Sequence, residues 1–431
     1  MIASANQTLT CDVLVIGAGA AGCAAATSAA RAGASVILAE RGEFLGGILQ
    51  QCIHNGFGLH RFGEELTGPE YAGRDIVEVN RTSGIDVHLG WIALSLERDG
   101  DSLAATFACT LGIMHVRAAS VVLACGCRER TRSQVGIAGG RPAGVMCAGT
   151  AQRLINVEGA LVGRRVVILG SGDIGLIMAR RMTWEGAKVL CVCELMDQPG
   201  GLRRNIVQCL EDNDIPLYLS RTVTRVIGRE RLEAVELTDV DPATRKPIPG
   251  TEQVVECDAL LLSVGLVPET TVALTAGIQI DPATGGPAVD ESLQTSVPGV
   301  FVAGNELHVH DLADYVSEEG ALAGERAASW ALASDHVDKS VFMRVIAGEN
   351  VGSITPQHIG DATGEVVVRL RSRTRVEDAV IRFESAGTTI RSVRRRIVVP
   401  SEMQTVRLKP DEVQKATGEI VVSVVARGEG E

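Results

Sequence analysis

Two stretches of this 431-residue chain carry residues whose types and spacing suit one chemistry, the holding of a dinucleotide. In the first, Gly17, Gly19 and Gly22 stand in G-x-G-x-x-G spacing after the apolar run 13–16, with Ala20 and Ala21 inside the motif. The first glycine makes a tight turn, the second lets the backbone approach a pyrophosphate closely, and the third seats the following helix on its strand. About 20 residues on, Glu40 offers a carboxylate to ribose hydroxyls, with Arg41 beside it. In the second stretch Gly170, Gly172 and Gly175 repeat the spacing around Asp173 and Ile174, and Glu194 ends the next apolar run. An acid there bonds a 2′-hydroxyl and repels a 2′-phosphate, so NAD(H) is expected over NADP(H). Arg203 and Arg204 follow closely and offer the phosphate an alternative.

Other residues could move protons or electrons. Cys52 and His54 lie in a polar, glycine-rich segment, and a thiol beside an imidazole is either an activated thiolate or ordinary packing. His308 and His310 alternate, so an extended chain sets both on one face within reach of Asp311 or Asp314. Four such side chains from two loops do not establish a metal site, and none is expected. Arg128, Glu129 and Arg130 form a charged turn that is either a solvated ion pair or a contact for cofactor or partner. The cysteine pairs 125/127 and 191/193 have C-x-C spacing, not the C-x-x-C of a dithiol redox centre.

The elements that must position these groups follow from periodicity. The alanine-rich segment 20–32 is a good helix whose first N–H groups and dipole favour phosphate, and Gly33 stops it. Strands are expected at 13–16 and 35–39, and the alternating runs between Ile85 and Leu123 read as a β-meander followed by a core strand. A second strand, turn, helix and strand begin at Arg165. From Val341 onward, alternating strands separated by turns suggest a small all-β sandwich with no cradle or nucleophile of its own, suited to docking.

Composition narrows the class. The chain has 45% hydrophobic residues, 48 glycines and 3% aromatics, which suits an α/β protein rich in tight turns. A net charge of −12 gives no footprint for nucleic acid or anionic lipid, and the arginine-dense stretch 369–396 reads as a solvated strand face. No apolar run is long enough to span a membrane, and the first residues lack the marks of an export signal. A cytoplasmic location with reduced thiols is expected, without nucleic-acid or integral membrane partners.

These features together resemble the two-dinucleotide-binding flavoproteins, the group containing glutathione and thioredoxin reductases. There one nucleotide unit holds FAD and an inserted one holds NAD(P)H. Glutathione reductase-like members carry C-x-x-x-x-C after paired glycines; after Gly46-Gly47 this chain has Leu49 and His54 at those positions, with a lone Cys52 between them. The resemblance implies that Gly47, the Ala124-Cys125-Gly126 turn, Gly304, Asn305 and Val316 also line FAD, and that Gly265 lines NAD. Asn305 replaces the Asp of the family's A-G-D. The segments GCRERTR and RPAGVMCAGTAQRLIN resemble the flavoprotein subunits of opine oxidases and, more closely, those paired with anaerobic glycerol-3-phosphate dehydrogenase-like subunits.

The implied architecture is α/β, with two Rossmann-like domains and a carboxyl-terminal all-β domain. Its expected parts are FAD-binding residues 1–160 and 276–338, an inserted NAD-binding domain at 161–275, and a β-sandwich docking domain at 339–431. The implied activity is hydride transfer between NAD(H) and FAD, while a partner dehydrogenase subunit oxidises a small hydroxy or amino acid such as glycerol 3-phosphate. Alternatives are a stand-alone NADH oxidase, peroxidase or quinone reductase using Cys52, and a silent nucleotide-binding scaffold.

Overall fold

The computed structural model describes residues 8–334, 343–360 and 364–428. It is mixed α/β, with Rossmann-like sheets and extra β-structure at the carboxyl end, as expected. Two compact units are present, one comprising residues 1–49, 55–127 and 268–431, the other residues 50–54 and 128–267.

The first unit is built on a twisted sheet whose centre is the strand Thr8–Ile16. It pairs in parallel with Val36–Glu40 on one side and Gly112–Leu123 on the other. Val13, Leu14 and Val15 are fully buried, as a parallel strand covered on both faces requires. The helix Ala20–Arg31 follows the glycine turn and packs on the long helix Ala313–Leu332. Close approach explains the glycines of the second helix: a Cβ on Gly320 or Gly324 would overlap the carbonyl oxygens of Ala21 or Ala25.

The region 85–123 differs in part from the meander expected. Ile85–Leu89 is a parallel strand of the core sheet, paired with Val36–Glu40, and the alternating run 113–118 continues into the start of the run 120–126 as one strand, Gly112–Leu123. The outer half of that strand continues antiparallel into Ser102–Cys109 and Ile92–Asp99. Local alternation cannot tell a meander strand from a core strand, because both alternate until the covering layers are known.

Beyond the long helix, the same unit contains two facing β-sheets. One joins His358–Ile359, Met343–Ala347, Ile420–Ala426, Val376–Ser385 and Thr388–Val398; the other joins Val351–Thr355, Val366–Ser372 and Gln404–Leu408. Ile381, Phe383, Val368 and Leu408 from these sheets share one core.

The second unit has a parallel sheet in the order Val145–Cys147, Ala259–Leu262, Arg165–Leu169, Lys188–Cys193, Leu217–Tyr218. The helix Asp173–Trp184 follows its glycine turn, and an antiparallel layer, Arg221–Ile227, Ala234–Asp239 and Gln253–Glu256, lies beside it in the chain. Residues 128–160 belong to this unit: Val145–Cys147 is an edge strand of the parallel sheet, and the helix Ala148–Asn156 packs on Asp173–Trp184. Gln51 joins them, its side chain donating to the Gly149 carbonyl at 2.8 Å.

Candidate functional site

The two glycine turns have the same internal logic. A Cβ on Gly17 would overlap the Ala124 carbonyl, and one on Gly22 would overlap the Gly17 carbonyl, so the packing of the protein itself demands both glycines. A Cβ on Gly19 would meet no heavy atom within 4 Å. The second turn repeats this. Gly170 is pressed on the Ser263 carbonyl and Gly175 on Gly170, whereas a Cβ on Gly172 would have only Ser263 Oγ near, at 3.8 Å. Packing therefore leaves the middle glycine of each turn unexplained, and the space it keeps open fits a pyrophosphate.

Neither following helix has a side-chain cap at the residue before it, Gly19 or Gly172, which leaves the opening N–H groups to an anion. Glu40 is buried, with Oε2 accepting from the Ala18 amide at 2.7 Å and Oε1 from the Gly42 amide at 2.7 Å. Glu194 does the same, accepting from the Ser171 amide at 2.9 Å and the Met196 amide at 3.0 Å. Each carboxylate is thus fixed beside its turn and retains lone pairs for ribose hydroxyls.

The other expected cofactor residues are distributed between the units. In the first, Gly47 lies against the turn, its Cβ position 3.1 Å from Gly19 Cα, and Ala124 is bonded to Ile16. A Cβ on Gly304 would approach Ala21 Cβ at 2.9 Å and Val316 at 3.1 Å, so the 304–305 turn sits against the opening of the nucleotide helix. Arg41 is exposed and Gly126 open. Asn305 is engaged within the protein: Oδ1 accepts from the His310 amide at 3.0 Å, and Nδ2 donates to Cys127 Sγ at 3.5 Å.

In the second unit, Asp173 accepts from the Leu202 amide and Asn205 Nδ2, and Ile174 is partly buried in its core. Gly265 accepts from the Arg130 amide at 3.0 Å. Arg203 pairs with Glu211 at 3.1 Å on the surface. The Glu129 carboxylate accepts from Gly149 at the start of the helix Ala148–Asn156, so this member of the charged turn has a structural bond.

Cys52 and His54 also fall in the second unit. The Cys52 thiol lies 3.7 Å from Gln152 Oε1, and burial pushes it up to about 12, the opposite of what an activated nucleophile needs. His54 is half-buried nearby in sequence. The thiols of Cys191 and Cys193 lie 3.8 Å apart on a buried strand.

The histidine pair has another fate. His308 and His310 are buried, and their partner is neither Asp311 nor Asp314 but Glu319, in the second turn of the long helix. His308 Nε2 lies 3.1 Å from Glu319 Oε1, and His310 Nε2 lies 2.9 Å from Oε2. Oε2 also accepts from the Gly304 amide at 2.8 Å, and Oε1 from the Arg369 guanidinium at 3.0 Å. Burial opposes a charge on Glu319, but the donors around it, His310 and His308 foremost, hold the carboxyl well below the usual range. Burial also brings His308 down to about 4, against the pull of Glu319, so it is uncharged at neutral pH and donates its Nε2–H. A second acid, Glu306, is fully buried, with Oε2 accepting from the Cys125 amide at 2.5 Å and Oε1 without a partner. Burial raises it to about 8.

Sequence reasoning does not reach Glu319, Glu306 or Arg369. For Glu319 a signal exists: an acid inside the small-residue stripe that ends in Gly320, Ala323 and Gly324 must be buried with its helix. Arg369 lies in the stretch whose charge density reads as a solvated face, and the structure corrects this by burying it.

The model for pyridine nucleotide-disulphide oxidoreductases matches residues 11–320, which is most of the chain and contains both glycine turns. The chain belongs to this family. The family is FAD-dependent and uses NAD(P)H. Within the family the chain is similar to an opine oxidase subunit from Agrobacterium tumefaciens, with 28% identity over 312 residues, 68% of this chain and 61% of that one. It is also similar to the thioredoxin reductase of Listeria innocua, with 26% identity over 330 residues, 75% of this chain and 94% of that one. It spans about 60% of the length of the opine oxidase subunits it matches. Among solved structures, a thioredoxin reductase from T. acidophilum shares the fold, with a TM-score of 0.62, 24% identity, and coverage of 75% of this chain and 99% of that chain. No helix among the described residues is long and apolar enough to cross a membrane.

Proposed function

We propose that this chain is the electron-transfer flavoprotein of a cytoplasmic heteromeric dehydrogenase, exchanging reducing equivalents with NAD(H) while a partner subunit oxidises a small hydroxy or amino acid such as glycerol 3-phosphate. The observation that carries this reading is the setting of Cys52: its thiol bonds to Gln152, and burial holds it in the protonated form. With Leu49 and His54 at the positions of the family's reactive pair, thiol chemistry of the disulphide-reductase kind has no support here. Similarity to opine oxidase subunits of two bacteria supports assembly with another chain.

Bound FAD would supply the two-electron acceptor for a hydride from the nicotinamide. The protein's part is to bind and orient. Gly17, Gly19 and Gly22 with Glu40 would hold the FAD pyrophosphate and ribose; Gly170, Gly172 and Gly175 with Glu194 would hold NAD(H). The long helix, beginning at Ala313 without a side-chain cap, directs its positive end out of the 304–312 loop and would favour negative charge on a reduced cofactor.

The test is anaerobic reduction of the purified chain with NADH, followed by an artificial dye. Flavin reduction with dye turnover and no turnover of oxygen or peroxide is the expected result. Turnover with oxygen, peroxide or a quinone would establish a self-sufficient reductase instead, and a flavin that NADH does not reduce would establish a scaffold.

A further inference from the structure

Three arginines of the carboxyl-terminal strands pair with acids of the preceding loop and long helix. Arg369 and Arg371 share a face of the strand Val366–Ser372, and Arg407 lies on the neighbouring strand Gln404–Leu408. Arg369 reaches Glu319; Arg371 pairs with Asp311 and donates to the Val309 carbonyl; Arg407 pairs with Glu318 at 2.9 Å. All three acids belong to the loop and helix between Gly304 and Leu332. Arg371 and Arg407 are partly exposed, whereas Arg369 and Glu319 are both buried.

We propose that Arg369 is a positioning residue of the FAD site: its guanidinium, acting through Glu319, holds the Gly304–Asn305 turn against the nucleotide-binding helix and balances the charge of the buried carboxylate. The chain of contacts is continuous. Arg369 binds Glu319 Oε1, Glu319 Oε2 receives the Gly304 amide, and Gly304 rests on Ala21 of the helix that begins at the first glycine turn. Through His310, Glu319 also steadies Asn305, whose side chain accepts from the His310 amide. The β-sandwich is thus linked, through one buried ion pair, to the turn that rests on the nucleotide-binding helix.

The same contacts argue against a cation at the two histidines. Each oxygen of Glu319 already takes two protein donors, and a divalent ion there would stand beside a guanidinium. Charge balance is instead internal. The groups facing His308 are Glu319, His310 and Arg369, with the Asp311–Arg371 and Glu318–Arg407 pairs farther out. One carboxylate and one guanidinium cancel, so a proton on His308 would be surplus. Without the guanidinium, Glu319 is a buried anion with no permanent countercharge, and His308, which shares Oε1 with Arg369, is placed to take up the missing positive charge.

The experiment is a titration of deflavinated full-length protein with FAD, followed by flavin fluorescence from about pH 6 to about pH 8, the range in which an unperturbed histidine changes charge. The wild-type dissociation constant should be flat across this range. In Arg369→Met it should rise roughly ten- to a hundredfold at the alkaline end, the value of one buried charge-assisted bond, and recover toward wild type at the acid end as His308 is protonated. Arg369→Lys, which keeps the charge, should restore the flat profile. Wild-type affinity in Arg369→Met at both ends, an equal loss at both ends, or a stoichiometric transition metal in the purified wild-type protein would overturn the proposal. If Arg369→Met does not fold, the double variant Arg369→Met/Glu319→Gln decides. With neither the guanidinium nor the carboxylate left in the cluster it should fold and bind FAD without pH dependence, and a pH-dependent affinity in it would refute the mechanism. The wild-type titration separately checks the FAD assignment on which the proposal rests.

Discussion

The Glu306 carboxylate accepts a 2.5 Å hydrogen bond from the Cys125 amide, joining the loop after the strand Val300–Val302 to the turn after the strand Gly112–Leu123. The other oxygen is buried without a partner, and burial raises the group to about 8. In the unfolded chain it titrates near 4.5. Between those values the folded state holds a proton that the unfolded state releases, so this group's contribution to stability is complete in acid and lost as pH rises through about 8.

Glu306→Gln should therefore flatten that dependence and stabilise the protein above about pH 8, by on the order of a few kcal/mol at most. Denaturant midpoints measured against pH, for both proteins under equal FAD saturation, check it. A variant no more stable than wild type in alkali would show that burial does not penalise the Glu306 carboxylate.

The middle glycines separate folding from binding. Gly19 has φ −75° and ψ −166°, ordinary extended backbone, and open space where its Cβ would project. Gly19→Leu should fold with the wild-type unfolding midpoint and emerge without flavin, whereas Gly172→Leu should keep FAD and lose its reduction by NADH. Gly22→Ala should destabilise the protein outright, because its Cβ would overlap the Gly17 carbonyl. Absorbance spectra of the purified variants and anaerobic NADH titration test all three.

Glu194 is fixed beside the second turn by the Ser171 and Met196 amides, and the Ser171 hydroxyl also donates to it at 2.6 Å. Glu194→Ala should remove a ribose bond and the repulsion of a 2′-phosphate together. The ratio of NADH to NADPH in flavin-reduction kinetics should fall roughly ten- to a hundredfold. A wild-type preference for NADPH would reverse the assignment and bring Arg203 and Arg204 into the site.

Cys52 should not take part in electron storage. NADH should be consumed at one two-electron equivalent per FAD in wild type and in Cys52→Ser alike, because a dithiol relay needs a second sulfur with its Cα within about 7 Å. A further equivalent that vanishes in Cys52→Ser would move the function to a thiol-using reductase.

Local chemistry made much of this protein legible. A turn that must bend sharply, admit a phosphate and seat a helix leaves almost no residue but glycine at three fixed positions, and Glu40 ends, and Glu194 directly follows, a strand whose apolar run marks its own length. Five carboxyl-terminal strands, from Val366–Ser372 to Ile420–Ala426, were likewise written in alternation, because a half-buried strand repeats every two residues. What the tertiary structure alone decided is where charge goes. Arg369 and Arg371 look alike along the strand, yet one is buried on Glu319 and the other reaches a half-exposed Asp311. A charge is stable in an apolar interior only where partners from distant segments converge, and His308, His310, Glu319 and Arg369 come from a loop, a helix and a strand that no sequence period relates.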